Sequence, residues 1–252
     1  MSRPLISCVC PTFNRQQYLP FAIRCFLQQT YEDRELLVVD DSTEPLDIPK
    51  DDRIQYIRLD ARTPTGTKRN IGARIARGKI IVNFDDDDFS SSYRLEDQAR
   101  RLESTGKAVT GYNATVVYDE ATGLFYKNLG GPPYYASGTS QCYLKSWWKN
   151  NPYPDCSYGE DSVFSRQARL ANELSIADVN KTMVARKHAN NTDFVYLQKL
   201  KPLAPTDISC EFFSTFYDRF QPAPESESQQ QFNSPLIDAH YRVLSLPEIQ
   251  TR

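Results

Sequence analysis

Histidine, methionine and tryptophan are scarce, with two of each in 252 residues, and the six cysteines contain no Cys-x-x-Cys pair. A zinc centre of imidazole and thiolate is not expected, and oxygen ligands are what the chain could offer a metal. Charge of one sign is lacking too. Lys+Arg number 30 against 32 Asp+Glu, a formal net charge of −2, which gives no general attraction to nucleic acid or anionic lipid. No apolar run approaches the roughly 18 residues of a membrane span. The N-terminus has no basic stretch followed by a long apolar one, so it does not read as a secretory signal. Cys8, Cys10, Cys25, Cys142, Cys156 and Cys210 show no regular spacing. They read as reduced thiols, and the expected location is cytoplasmic. No internal repeat is visible.

What is present is ordinary for a globular chain: 40% hydrophobic and 25% charged residues exclude whole-chain disorder. The length buries a sizeable core without disulfides and allows one large α/β domain or two small ones.

The first 90 residues alternate strand and helix signals. Leu5-Ile6-Ser7-Cys8-Val9-Cys10 reads as a buried strand that Pro11 should stop. Tyr18, Leu19, Ala22, Ile23, Phe26 and Leu27 recur at helical spacing, to about Gln29. Residues 36–39 form a second apolar strand, ending in Asp40-Asp41-Ser42, and residues 54–57 a third. Ile71, Ala73, Ile75 and Ala76 outline a helix over 67–77 that Gly78 should end. Residues 79–84 are a fourth strand, running into Asp85-Asp86-Asp87-Asp88. Such continuous apolar strands alternating with helices predict an α/β fold with a mainly parallel, doubly covered sheet.

The pattern after residue 90 is mixed. A helix is expected over 93–104, strands at 107–112 and 114–118, and a hairpin partner at 124–127 across the turn Asp119-Glu120-Ala121-Thr122-Gly123. A loop starting at Gly130-Gly131-Pro132-Pro133 precedes a strand at 139–144, a helix at 161–171 and short strands near 175–178 and 182–187. A C-terminal extension begins near 195. Phe212, Phe213, Phe216, Tyr217 and Phe220 in it keep helical register, and residues 222–234 have the polar Pro/Ser/Gln composition of a flexible linker.

Two buried strands end in acidic loops, and ligands of open α/β sheets bind beyond the carboxyl ends of strands. Converging carboxylates repel unless cations or donors compensate. A divalent ion with a phosphorylated ligand would do so, and carboxylate oxygens suit Mg or Mn.

Cys10-Pro11-Thr12-Phe13-Asn14-Arg15, Val38-Val39-Asp40-Asp41-Ser42-Thr43, Lys68-Arg69-Asn70-Ile71-Gly72 and Asn83-Phe84-Asp85-Asp86-Asp87-Asp88 follow one another in that order. Together they resemble the nucleotide-sugar half of the family 2 inverting glycosyltransferases, which have the GT-A fold. The resemblance covers about residues 4–190. It implies a GT-A-like domain over 1–194, with a nucleotide-sugar half at 1–105 and an acceptor half at 106–194, followed by the extension at 195–252. It further implies a nucleotide-diphospho-sugar donor, UDP-linked by preference, a divalent Mn or Mg ion and a hydroxyl acceptor. Pro11, Thr12, Asn14 and Arg15 resemble the loop lying against the nucleotide. Asp41 matches the carboxylate that accepts a hydrogen bond from the base. Arg69 matches a basic residue facing the donor, with a guanidinium suited to phosphate. Asp85 and Asp86 fall near the ribose and Asp87 on the metal, in a register open by one residue, so that Asp88 could share the role. Tyr158-Gly159-Glu160-Asp161 resembles the acceptor motif, with Asp161 as general base and Glu160 beside it. His188 lies where related enzymes often place a residue near the metal or diphosphate.

Tyr134, Tyr135, Trp147, Trp148, Tyr153 and Tyr158 cluster in the same half, and none takes an individual role. A catalytically silent nucleotide-sugar binder of the same fold is the rival reading, and Asp161 argues against it. A nucleotidyltransferase would need an early Gly-rich phosphate loop, which is missing around Pro11-Thr12-Phe13.

Overall fold

The computed structural model describes residues 3–113, 115–122, 124–128, 135–177, 182–191 and 201–202. Tyr134, the aromatic series from Phe212 to Phe220 and the expected linker at 222–234 lie outside the described residues. The first half runs β1 (Ile6–Thr12), α1 (Leu19–Leu27), β2 (Arg34–Asp40), β3 (Ile54–Arg58), α2 (Thr65–Ile75) and β4 (Ile80–Asn83). Then come β5 (Phe89–Ser90), α3 (Arg94–Thr105), β6 (Val109–Tyr112), β7 (Thr115–Asp119) and β8 (Leu124–Asn128). A 3-10 turn at Gly138–Ser140 leads into β9 (Cys142–Leu144) and α4 (Lys145–Trp148). α5 (Glu160–Leu170), β10 (Leu174–Ala177), β11 (Met183–Lys187) and β12 (Lys201–Pro202) complete the order.

Seven strands form the main sheet in the order β10-β6-β9-β4-β1-β2-β3. All its pairings are parallel except those of β9 with β4 and β6. β1, β2 and β4 are buried along their whole length, as a parallel strand covered on both faces must be. Alternate residues divide between two cores. Cys8, Cys10, Leu36 and Val38 pack with Ala22 and Phe26 of α1, whereas Val9, Leu37 and Val39 pack with Ala73 of α2 and Phe164 of α5. A smaller sheet, ordered β12-β8-β7-β11-β5, flanks this one and contains the expected β7–β8 hairpin. The mainly parallel, doubly covered α/β fold is therefore present, and β6, β9 and β10 carry the main sheet across the boundary at residue 105.

Three local expectations are corrected. Pro11 does not stop β1; it pairs with Val39 inside the strand. The Val9 carbonyl accepts from Phe84 N–H on the β4 side, and Pro11, two residues on, faces that same side. Pairing with β4 has ended at Asn83, so the missing N–H of proline costs no ladder bond. Gly78 does not end α2, which stops at Ile75. Its N–H instead donates to Ser7 Oγ at 2.8 Å, where the chain enters β4. The strand expected at 139–144 begins as the 3-10 turn and is extended only from Cys142. Among the described residues no helix is long and apolar enough to cross a membrane.

Candidate active site

β1, β2 and β4 run parallel, so their carboxyl ends share one edge, and a cavity of about 500 Å³ opens there. Pro11 and Thr12 at the end of β1 with Phe13 and Arg15 after it, Asp85 to Asp88 after β4, and Tyr158 to Asp161 around the start of α5 all reach it, with Lys68 and Arg69 entering from α2. Asp41 and His188 stand one contact behind its wall. Asn14, at φ 50°, ties the loops after β1 and β2 together: its N–H donates to Ser42 Oγ at 2.7 Å and its Oδ1 accepts from Thr43 N–H at 2.9 Å.

Arg15 closes over the acidic loop. Its Nη1 donates to Asp86 Oδ1 (2.8 Å) and Asp87 Oδ2 (2.9 Å), and its Nη2 to the Asn190 carbonyl (2.6 Å). Burial alone would lower the guanidinium pKa, but the two carboxylates outweigh it and raise the value. Asp87 Oδ2 also meets His188 Nε2 (3.0 Å) and Asn191 Nδ2 (3.3 Å). His188 Nδ1 accepts from Asn190 N–H at 3.0 Å, so the ring proton sits on Nε2 and points at Asp87.

Burial works against the charge on each of Asp86, Asp87 and Asp88. His188 and Arg15 overcome it at Asp87, whose pKa is lowered. Asp86, beside that charge, is pushed up to about 6. Asp88 is pushed up to about 8 by burial and by the charges of Asp87 and Asp85. Its oxygens go to Thr139 Oγ1 and the Arg186 N–H. Among the described residues no three His, Cys, Asp or Glu side chains form a ready metal cage. Asp87 and His188 do converge, and a carboxylate with an imidazole is a donor pair suited to a divalent ion such as Mn.

Asp161 sits in the first turn of α5, where the helix dipole favours negative charge. Its Oδ2 accepts from Tyr135 OH (2.5 Å) and Gly138 N–H (3.0 Å), and its Oδ1 from Ser162 N–H (2.7 Å). A Cβ at position 138 would lie 2.7 Å from Asp161 Oδ2, so this close backbone approach requires glycine. The Gly138 carbonyl accepts from Asn83 Nδ2 at 2.8 Å, and Thr139 reaches Asp88. One short segment thus spans the acidic loop and the helix that carries Asp161. Arg69 makes the second bridge: buried itself, it donates to Glu160 at 2.6 Å and meets Asp85 at 3.4 Å.

Asp41 is buried and already well supplied with donors. Lys68 Nζ (2.7 Å), Arg62 Nη1 (2.7 Å) and Thr63 N–H (2.6 Å) outweigh its burial and hold its pKa below the ordinary aspartate value. Arg62 also lies 3.6 Å over the Phe13 ring. Asp40 has a structural task, accepting from Tyr56 OH (2.6 Å) and Arg58 Nη1 (2.9 Å). The aromatic residues separate clearly. Trp148 and Tyr153 are core, while Tyr158 is 63% exposed on the cavity rim.

The sequence model of Glycosyl transferase family 2 matches residues 7–156, which takes in all three strand ends of the site, the Asp85–Asp88 loop included, and stops before Glu160 and Asp161. The chain belongs to this family. An uncharacterised glycosyltransferase of Haemophilus influenzae is 33% identical over 105 residues, 39% of this chain and 42% of that protein. The glycosyltransferase GlyG of Streptococcus pneumoniae is 30% identical over 148 residues, 55% of this chain and 46% of that protein. The matched segments thus span less than half the length of these curated relatives. The crystal structure of S. aureus TarS 1-349 in complex with UDP-GlcNAc superposes with a TM-score of 0.60 at 18% identity, covering 94% of this chain and 73% of that one. That likeness is one of fold, and it agrees with the GT-A-like architecture.

Several residues of this family 2 member escaped the sequence reading. Lys68 stood inside a quoted motif, beside Arg69, and adjacency was the available signal; Asn191 lies three residues after His188. Gly138 and Thr139 had none, because Gly138 fell in the expected loop and Thr139 at the start of an expected strand, while Tyr135 stood only in the aromatic cluster, without an individual role. Glu160 gives a testable pH effect. Burial pushes its carboxyl up from 4.5 to about 7, with Arg69 opposing and Asp161 adding to the rise. Between those values the folded protein keeps a proton that the unfolded chain releases. The stability from this group is therefore full below the unfolded pKa and is lost as pH rises through the folded one. Melting temperatures by circular dichroism should fall from about pH 5 to about pH 8, and less steeply in Glu160→Gln. Equal slopes in the two proteins would contradict this assignment.

Proposed function

We propose that the protein transfers a sugar, with inversion, from a nucleotide-diphosphate donor to an acceptor hydroxyl, with Asp161 as the general base. One observation carries the reading. The acidic loop after β4 and the Asp161 carboxylate line the same cavity, as a donor site and a base acting on one anomeric carbon must. Both Glu160 and Asp161 line the cavity, but Asp161 is half-buried whereas Glu160 is buried and engaged by Arg69. The base therefore takes the acceptor proton at an Asp161 oxygen as the acceptor oxygen attacks, and no covalent intermediate on the protein is needed.

On the donor side, Asp41 would accept from the nucleobase once Arg62, whose side chain is 55% exposed, swings away. The structural neighbour bound to UDP-GlcNAc supports a UDP-sugar as the first donor to try. Asp87 and His188 would hold a divalent ion, which when bound supplies charge to balance the departing diphosphate.

Calorimetric titration of UDP with and without Mn, on wild type and Asp87→Ala, tests the donor half. Binding should need Mn and should be lost in Asp87→Ala. Equal affinity in all four conditions would remove the metal from the proposal.

A further inference from the structure

The acidic loop is neutralised by a group of the chain's own. Arg15 Nη1 lies against both Asp86 and Asp87, and its Nη2 holds the Asn190 carbonyl. Its side chain is 13% exposed, and those of Asp86 and Asp87 are 0% and 8% exposed. We infer that Arg15 stands in for the divalent cation of this site until a nucleotide diphosphate arrives, so that free metal is shut out and loading is ordered. The inference rests on the metal reading of Asp87 and His188 given above.

Three features point the same way. Asp87 Oδ2, the oxygen nearest His188, already receives Arg15, His188 Nε2 and Asn191 Nδ2. A fourth, metallic partner there must displace at least one of them. His188 is set against a metal as well. A neutral imidazole that ligates through Nε2 carries its proton on Nδ1, but Nδ1 faces the Asn190 N–H and can only accept. The turn must therefore change before His188 can ligate. Arg15 also fastens that turn: it grips the Asn190 carbonyl, while Asn190 N–H orients His188, and Asn191 Oδ1 accepts from the His188 N–H at 2.6 Å. One guanidinium thus occupies the Asp87 oxygen nearest His188 and locks the histidine.

A diphosphate undoes both through charge. Arg15 lines the cavity, and a guanidinium binds phosphate oxygens bidentately. Once it turns to the ligand, Asp86 and Asp87 lose their counter-charge in a buried setting, where two uncompensated carboxylates are strongly disfavoured. A divalent ion then restores the balance. Free metal alone would have to break the Arg15 contacts without offering the guanidinium a new anion.

The test uses Mn alone as probe, with binding read by the loss of the free-ion EPR signal, on wild type and Arg15→Gln, each then repeated with UDP. Wild type should bind Mn weakly without UDP and about tenfold or more tightly with it, while Arg15→Gln should bind Mn about tenfold more tightly than wild type in the absence of UDP. Equal Mn affinity of wild type and Arg15→Gln without UDP would overturn the inference while leaving the metal site standing if UDP still raises it. No Mn binding in any condition would remove the metal reading and the inference with it. Should Arg15→Gln fail to fold, Arg15→Lys carries the test, because a point-charge ammonium cannot span Asp86, Asp87 and the Asn190 carbonyl together. Its Mn affinity without UDP should also exceed that of wild type, and no increase would count against the inference.

Discussion

Asp161→Asn is expected to reduce sugar transfer by about 10²–10⁴-fold while leaving UDP affinity close to wild type. The separation follows from the geometry. Nucleotide contacts are assigned to residues 11–15, Asp41 and the acidic loop, whereas Asp161 is held from the opposite side by Tyr135, Gly138 and Ser162. The amide cannot take a proton from the acceptor, and it also fits the donors imperfectly. Asp161 accepts on both oxygens, so an NH₂ group must face either Ser162 N–H or the Tyr135–Gly138 pair, which leaves donors unmatched at a cost of about 1–3 kcal/mol. A melting curve is therefore part of the measurement, alongside UDP calorimetry and a transfer assay with a donor and acceptor that the wild type turns over. Transfer at the wild-type rate would show that the base lies elsewhere, with Glu160 the next carboxylate to replace.

The second large effect concerns stability. Arg69→Met should destabilise the protein by about 3–5 kcal/mol, the usual result of removing one partner of a buried ion pair. Arg69 is 3% exposed and stands between Glu160 and Asp85, with its guanidinium 5.6 Å from the Tyr153 ring centre. Without it, Glu160 is buried beside Asp161 with no cation in contact. The neutral form of Glu160 relieves part of the strain, so the loss should be larger at about pH 8 than at about pH 5. Urea unfolding of Arg69→Met, Glu160→Met and the double variant measures this directly, and the double variant should recover much of the stability, since apolar groups can replace a buried pair. A loss below about 1 kcal/mol in Arg69→Met would place the pair in solvent, in conflict with its burial.

The main sheet and the acidic strand ends were legible because buried parallel strands need largely apolar runs, and residues 36–39 and 80–84, interrupted only by Asn83, supply them directly before aspartates. The place of Asp161 in the first turn of α5 was legible from the amphipathic pattern behind it. The wrong readings were local. By residue type Pro11 and Gly78 are breakers, whereas the neighbour each one faces, an ended β4 and Ser7 Oγ, decides what it does.

By itself, then, the sequence determined the strand and helix order of the first half, the family, and which carboxylates crowd one edge, since all of these depend on local periodicity and short motifs. Only the tertiary structure decided who holds those carboxylates. Arg15 meets Asp86 across 71 residues and His188 meets Asp87 across 101. Gly138 reaches Asp161 because β9 enters antiparallel between β4 and β6 and carries the preceding turn across the strand ends. No periodicity encodes such pairs. They arise when sheet order brings distant loops together, and burial then requires every charge in the cluster to find a partner.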